Sequence, residues 1–80
     1  MTLRWRKPDD HHIRSLCGKF TVARLTVAPN LWYIAFRRVE GADGVRSTEL
    51  GATRLSSTAG DAQRTAAIRE MQKLCQGVAA

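Results

Sequence analysis

The chain has 80 residues, 13 Lys and Arg against 7 Asp and Glu, and 44% apolar side chains. This describes one small folded domain and excludes both a disordered tail and a two-domain enzyme. The positive excess sits in the first half, with eight cations against two acids in residues 1–38 and five against five in residues 39–80.

Residues 1–12 read as an N-terminal arm. Leu3 and Trp5 alternate with Arg4 and Arg6, then Pro8 and the run Asp9-Asp10-His11-His12 interrupt regular structure. Ile13 to Cys17 suits a short first strand closed by a turn at Gly18. Phe20 to Val27 is β-branched and nearly alternating, with a phase slip between Val22 and Ala23 that a bulge or burial of both faces would explain. Ala28-Pro29-Asn30 is a turn signal, with Pro29 expected at the first central position.

Leu31 to Val39 is the strongest strand and is expected to be central. Trp32, Ile34 and Phe36 share one face and are expected to be core; Leu31, Tyr33 and Ala35 share the other. Gly41-Ala42-Asp43-Gly44 is a hairpin loop, and Val45 to Leu50 returns as a more polar, edge-type strand.

The last element reads as a helix over about Gly60–Gln76. Thr58 with Asp61 approximates a capping box, and Gly77 falls where a C-terminal cap belongs. Ala67, Ile68, Met71, Leu74, Cys75 and Val78 form its apolar stripe, and Arg64 is expected to snorkel to the rim of that stripe.

The expected fold is therefore α+β: a three- or four-stranded antiparallel β-meander (residues 13–55) with one C-terminal α-helix (59–76) packed on one face, all in a single domain. A helix covers one face only. Because Leu31 to Phe36 is apolar on both sides, the other face calls for the Trp5 arm, a second subunit or a partner.

Catalytic and metal chemistry find little support. Asp9, Asp10, His11 and His12 are adjacent on an extended chain, so they cannot converge on one metal without a tight turn. A small ribonuclease needs a base and a phosphorane stabiliser, and His12 with Arg14 or Arg24 is the one pairing available. No phosphate loop or nucleophile elbow accompanies it. The expectation is a non-enzymatic protein without metal or cofactor. Cys17 and Cys75 are expected to be reduced, buried thiols. With no secretory leader pattern in Met1 to Asp10 and no apolar span, the expected location is the cytoplasm.

Ten of the thirteen cations are Arg, whose planar fork suits phosphate or carboxylate. An anionic partner follows, either nucleic acid or an acidic protein surface. The candidate contact residues are Arg37 and Arg38 at the end of the central strand, Arg14, Arg24 and Tyr33 on the sheet, and Arg4, Trp5 and Arg6 on the arm. Arg interleaved with aromatic rings can track phosphates while a ring stacks on a base.

Three segments together, His12-Ile13-Arg14-Ser15-Leu16-Cys17-Gly18-Lys19-Phe20-Thr21-Val22, Tyr33-Ile34-Ala35-Phe36-Arg37, and Leu50-Gly51 before an Ala-rich helix ending near Cys75, resemble short phage and prophage accessory proteins. The resemblance brings no catalytic residues. It implies a small inhibitor of host defence in the host cytoplasm, of the anti-CRISPR kind, acting by protein–protein contact on a host complex with an acidic or nucleic-acid-binding surface. The alternative is a basic accessory or regulatory protein that binds DNA or RNA through an Arg-rich sheet face. A homodimer is compatible with either.

Overall fold

The computed structural model describes residues 3–79; the first two residues of the arm lie outside this range. Five strands and one helix follow in chain order: β1 (Trp5–Arg6), β2 (His12–Ser15), β3 (Phe20–Val27), β4 (Asn30–Gly41), β5 (Gly44–Ser56) and α1 (Asp61–Ala79). All strands pair antiparallel with their chain neighbours, giving the spatial order β1-β2-β3-β4-β5. The fold is thus the expected α+β meander with a C-terminal helix, enlarged by one strand. The additional strand is the arm, where Trp5 pairs with Ser15 and Arg6 with Arg14. The alternation of Leu3 and Trp5 with Arg4 and Arg6 fits an extended chain, but the Pro8 and Asp9–His12 interruption gave no sign that it pairs with the sheet.

Local chemistry accounts for the turns. Gly18 closes β2 to β3 at φ 77°, a left-handed backbone open to glycine at little cost. Between β3 and β4, Val27 pairs with Asn30 and the Ala28–Pro29 peptide is cis. Pro29 therefore occupies the second central position of the turn, not the first. In the β4–β5 hairpin, Gly41 pairs with Gly44, whose φ is 115°.

Neither explanation offered for the phase slip in β3 holds: there is no bulge at Val22/Ala23, and the second face is not buried, since Leu25 and Val27 are exposed. β3 keeps an unbroken register with β4 from Phe20 to Val27, and the register shift lies instead between β4 and β5, where Ala35 pairs with Gly51 and Phe36 with Glu49. Leu50 is the extra residue there, and its side chain packs against the core. The phase slip in β3 has a different cause. Phe20 and Val22 lie under the helix, whereas Ala23, Leu25 and Val27 lie on the opposite face, with Leu25 and Val27 exposed.

α1 crosses β3, β4 and β5 and buries Ala67, Met71 and Cys75 against Leu31, Tyr33 and Ala35 of β4, with Phe20, Val22 and Leu3 completing the core. Small side chains allow this close approach: Ala35 pairs with Gly51, and a Cβ placed on Gly51 would stand 2.6 Å from Leu74 Cδ1. The stripe is narrower than expected, since Leu74 and Val78 are exposed.

The helix ends also depart from expectation. The Gln63 side chain accepts from the Gly60 N–H at 3.3 Å, so Gln63 supplies the reaching-back half of a capping box. Thr58 bonds instead to Ser56 Oγ at 2.9 Å. Arg64 does not snorkel freely: its Nε donates to the Ala59 carbonyl at 3.0 Å and its Nη2 to the Ser57 carbonyl at 3.3 Å, which ties the β5–α1 loop down. Gly77 lies inside the helix, which runs on to Ala79.

Candidate functional site

Which face of the sheet is free decides where a partner can bind. The odd-numbered residues of β4 are buried under α1, so Trp32, Ile34 and Phe36 lie on the open face, half-buried by their neighbours in the sheet and uncovered by any element. This corrects the expectation that they are core. The Trp5 arm does not cover them either, because Trp5 lines a depression with Arg69, Gln72, Lys73 and Gln76 of α1, on the helix side.

Register places the other residues of the open face. Side chains of directly paired residues project to the same side. Arg6, Arg14, Thr21, Phe36 and Glu49 therefore form one row across all five strands. His12, Ala23, Ile34 and Ala52 form the next, and Leu25, Trp32 and Arg54 the one after. Arg38 and Ser47 pair one row the other way. The Arg54 guanidinium stands 5.9 Å from the centroid of the Trp32 ring, within reach of a cation–π contact.

Arg14, Thr21, Phe36, Arg38 and Ser47, with Gly18 and Val45, line a shallow cavity of about 240 Å³ on this face. It offers two guanidinium groups and two hydroxyls around one aromatic ring. Arg38 Nη2 lies 3.5 Å from Glu40 Oε1, an exposed pair that water screens.

The expected contact residues divide between the two faces. Arg6, Arg14 and Arg38 belong to the open face, and Arg4 to the same side by strand alternation. Arg37 pairs with Phe20 and Arg24 with Tyr33, so both project on the helix side. Arg37 and Arg38 therefore do not form one patch. Tyr33 is 3% exposed, too deep in the core to stack on a base at the surface.

Trp32, Phe36 and Arg54 were missed as surface residues. Both faces of β4 are apolar and both carry small neighbours, Ala35 with Gly51 on one and Ala23 with Ala52 on the other, so only the packing of α1 on the registered sheet shows which side is covered.

The acidic and histidine cluster is a local turn. Asp9 Oδ1 accepts from the His11 N–H at 2.7 Å and lies 3.0 Å from His12 Nδ1. These contacts, the His11 N–H first, hold the Asp9 carboxyl below the usual carboxylate range. Among the described residues, no three His, Cys, Asp or Glu side chains gather as a metal site would require. Cys17 is exposed, not buried as expected, while Cys75 is buried, and both thiols are free. Among the described residues, no helix is long and apolar enough to cross a membrane.

No family model, no curated protein and no solved structure matches this chain.

Proposed function

We propose that the chain is a non-enzymatic binding protein whose open sheet face holds single-stranded nucleic acid. The observation that carries this reading is the cradle around Phe36, where Arg14 and Arg38 stand with the Thr21 and Ser47 hydroxyls beside an aromatic ring. Phosphate takes charge-assisted bonds from guanidinium and further bonds from hydroxyls. Trp32, Ile34 and Phe36 follow at two-residue steps of about 6.7 Å along one strand, an even series of platforms for successive bases. A rigid central strand holds them, which limits the entropy lost on binding. A second copy of the chain suits the face less well, because stacking two such faces brings together two surfaces that each carry Arg6, Arg14, Arg38 and Arg54 against the single acid Glu49 in the same rows.

The test is fluorescence anisotropy of a labelled oligothymidylate across a salt series. Three phosphate contacts from Arg14, Arg38 and Arg54 give a log–log salt slope of about −2 for a single strand, and Arg14→Ala and Arg38→Ala each flatten it by roughly one contact's share. No binding at low salt, or a slope unchanged in both variants, overturns the proposal.

One observation favours a second reading. Leu16, Leu25, Val27 and Val45 are large apolar side chains left exposed, and a protein partner with an acidic rim would cover them. This is the inhibitor reading that the phage-protein resemblance implies. Stoichiometric capture of one host protein that survives nuclease treatment and is lost in Leu25→Glu supports it; recovery of nucleic acid alone sinks it.

A further inference from the structure

The helix side of the sheet carries a second, unrelated feature. Where β2, β3 and β4 meet the first half of α1, a cavity of about 170 Å³ is walled by Ile13, Val22, Tyr33 and Ile68, with Arg24 on one side and the Lys7–Asp10 pair, 3.9 Å apart, among its exposed lining. Engineered apolar cavities of about 150 Å³ hold a benzene ring, so this space takes a ring or a branched chain of similar size.

Two polar groups in it lack partners. The Tyr33 ring is buried, and its hydroxyl, which makes no hydrogen bond among the described residues, opens onto the cavity and is not itself a buried unpartnered atom. Arg24 is directly opposite Tyr33 in the β3–β4 register, its Nε is buried with no acceptor, and no carboxylate of the described chain pairs with its guanidinium. A guanidinium N–H buried without an acceptor is costly for a protein to keep, and the Tyr33 hydroxyl in the same cavity is a donor open to a ligand. One carboxylate answers both, accepting from the Tyr33 hydroxyl and from the guanidinium in the charge-assisted geometry that Arg favours. We infer that this cavity binds a small monocarboxylate with an apolar body, about the size of benzoate. The carboxylate meets Tyr33 and Arg24, and the body lies on Val22, Ile13 and Ile68. The site is separate from the open face and independent of what binds there.

Benzoate is the probe, titrated into the ¹⁵N-labelled protein with benzamide as its uncharged counterpart. The expected result is a saturable shift of the amide signals of Val22, Tyr33 and Ile68, with benzamide weaker by roughly tenfold or more. Arg24→Met loses this binding. Tyr33→Phe loses it too while its thermal stability is kept, because the hydroxyl it removes has no partner in the chain. Oligonucleotide binding is unchanged in both. Absence of a saturable shift, equal binding of benzamide, or benzoate binding retained in Tyr33→Phe overturns the assignment.

Discussion

Met71 and Trp32 illustrate how a residue's role follows from the face it occupies. Met71 is 1% exposed, between α1 and β4. Met71→Ala is expected to cost about 2–5 kcal/mol, measured by urea unfolding. Trp32 has the larger side chain, but it lies on the open face under Arg54. Trp32→Ala is expected to lose far less stability than Met71→Ala, and to weaken oligonucleotide binding by about 1–3 kcal/mol of stacking. Equal destabilisation by the two variants contradicts the assignment of faces. The two cysteines diverge for a similar reason. Ser15 Oγ accepts from the Phe20 N–H at 3.0 Å and shares a hydrogen bond with Cys17 Sγ at 3.3 Å. That bond holds the Cys17 thiol below the ordinary thiol range, while burial pushes the Cys75 thiol up. Iodoacetamide at neutral pH is expected to label Cys17 in the folded protein and Cys75 only after unfolding; mass spectrometry finding Cys75 modified as fast as Cys17 refutes this. Asp9 gives a pH signature of known sign. Its folded pKa lies below the unfolded value, so the stability it adds is present above the ordinary carboxylate range and is lost as pH falls through the lower folded value.

Among elements, α1 is the one whose position was easiest to read and whose ends were hardest. The spacing of Ala67, Met71 and Cys75 located the buried stripe correctly. Thr58 and Asp61 matched a capping pattern, yet the chain uses Gly60 and Gln63. Several Ser, Thr and Gly residues in a row can each serve as a cap, and tertiary fit chooses among them. Gly77 similarly resembled a stop, but it costs only about 1 kcal/mol inside a helix. Gln63→Ala is expected to lower stability by about 0.5 kcal/mol, visible as a small shift of the thermal midpoint with the fold unchanged. Gly51→Ala reports on how closely α1 is seated. The new methyl meets the tip of Leu74, which is 39% exposed and free to swing outward. A loss near the low end of the ~1–3 kcal/mol typical of overpacking is expected, and a larger one shows that the helix cannot yield there. β3 was read with its correct limits because its β-branched run is bounded by Gly18-Lys19 and Ala28-Pro29. The alternation within β4 was equally plain. Which of its faces the helix would cover was not, because both are apolar.

For the molecule as a whole, the layered arrangement gives two unlike sides. One is sealed by a helix and holds a small apolar cavity at its margin; the other is bare sheet bearing rings and Arg. The first-half charge excess reaches both, since alternation along a strand sends neighbouring cations to opposite sides. Net charge was legible in composition, but its division required the register. Beyond Arg38, the β4–β5 hairpin continues as a two-stranded ribbon without β3 alongside, and its residues are exposed on both faces. Amide hydrogen exchange is expected to be fastest over residues 39–46 and slowest in Val22, Tyr33 and Ala35, where strands pair on both sides beneath the helix. The strand order carries a further consequence, for how the chain reaches this state. Each strand pairs only with its immediate predecessor and successor, so every pairing closes a short loop and none must wait for a distant segment. The helix, last in the chain, is the one element that must find its place across three strands at once. Docking of α1 on β4 is therefore expected to limit the rate. Substitutions at Ala35 and Met71 should slow refolding, whereas those in the hairpin tip should mainly speed unfolding.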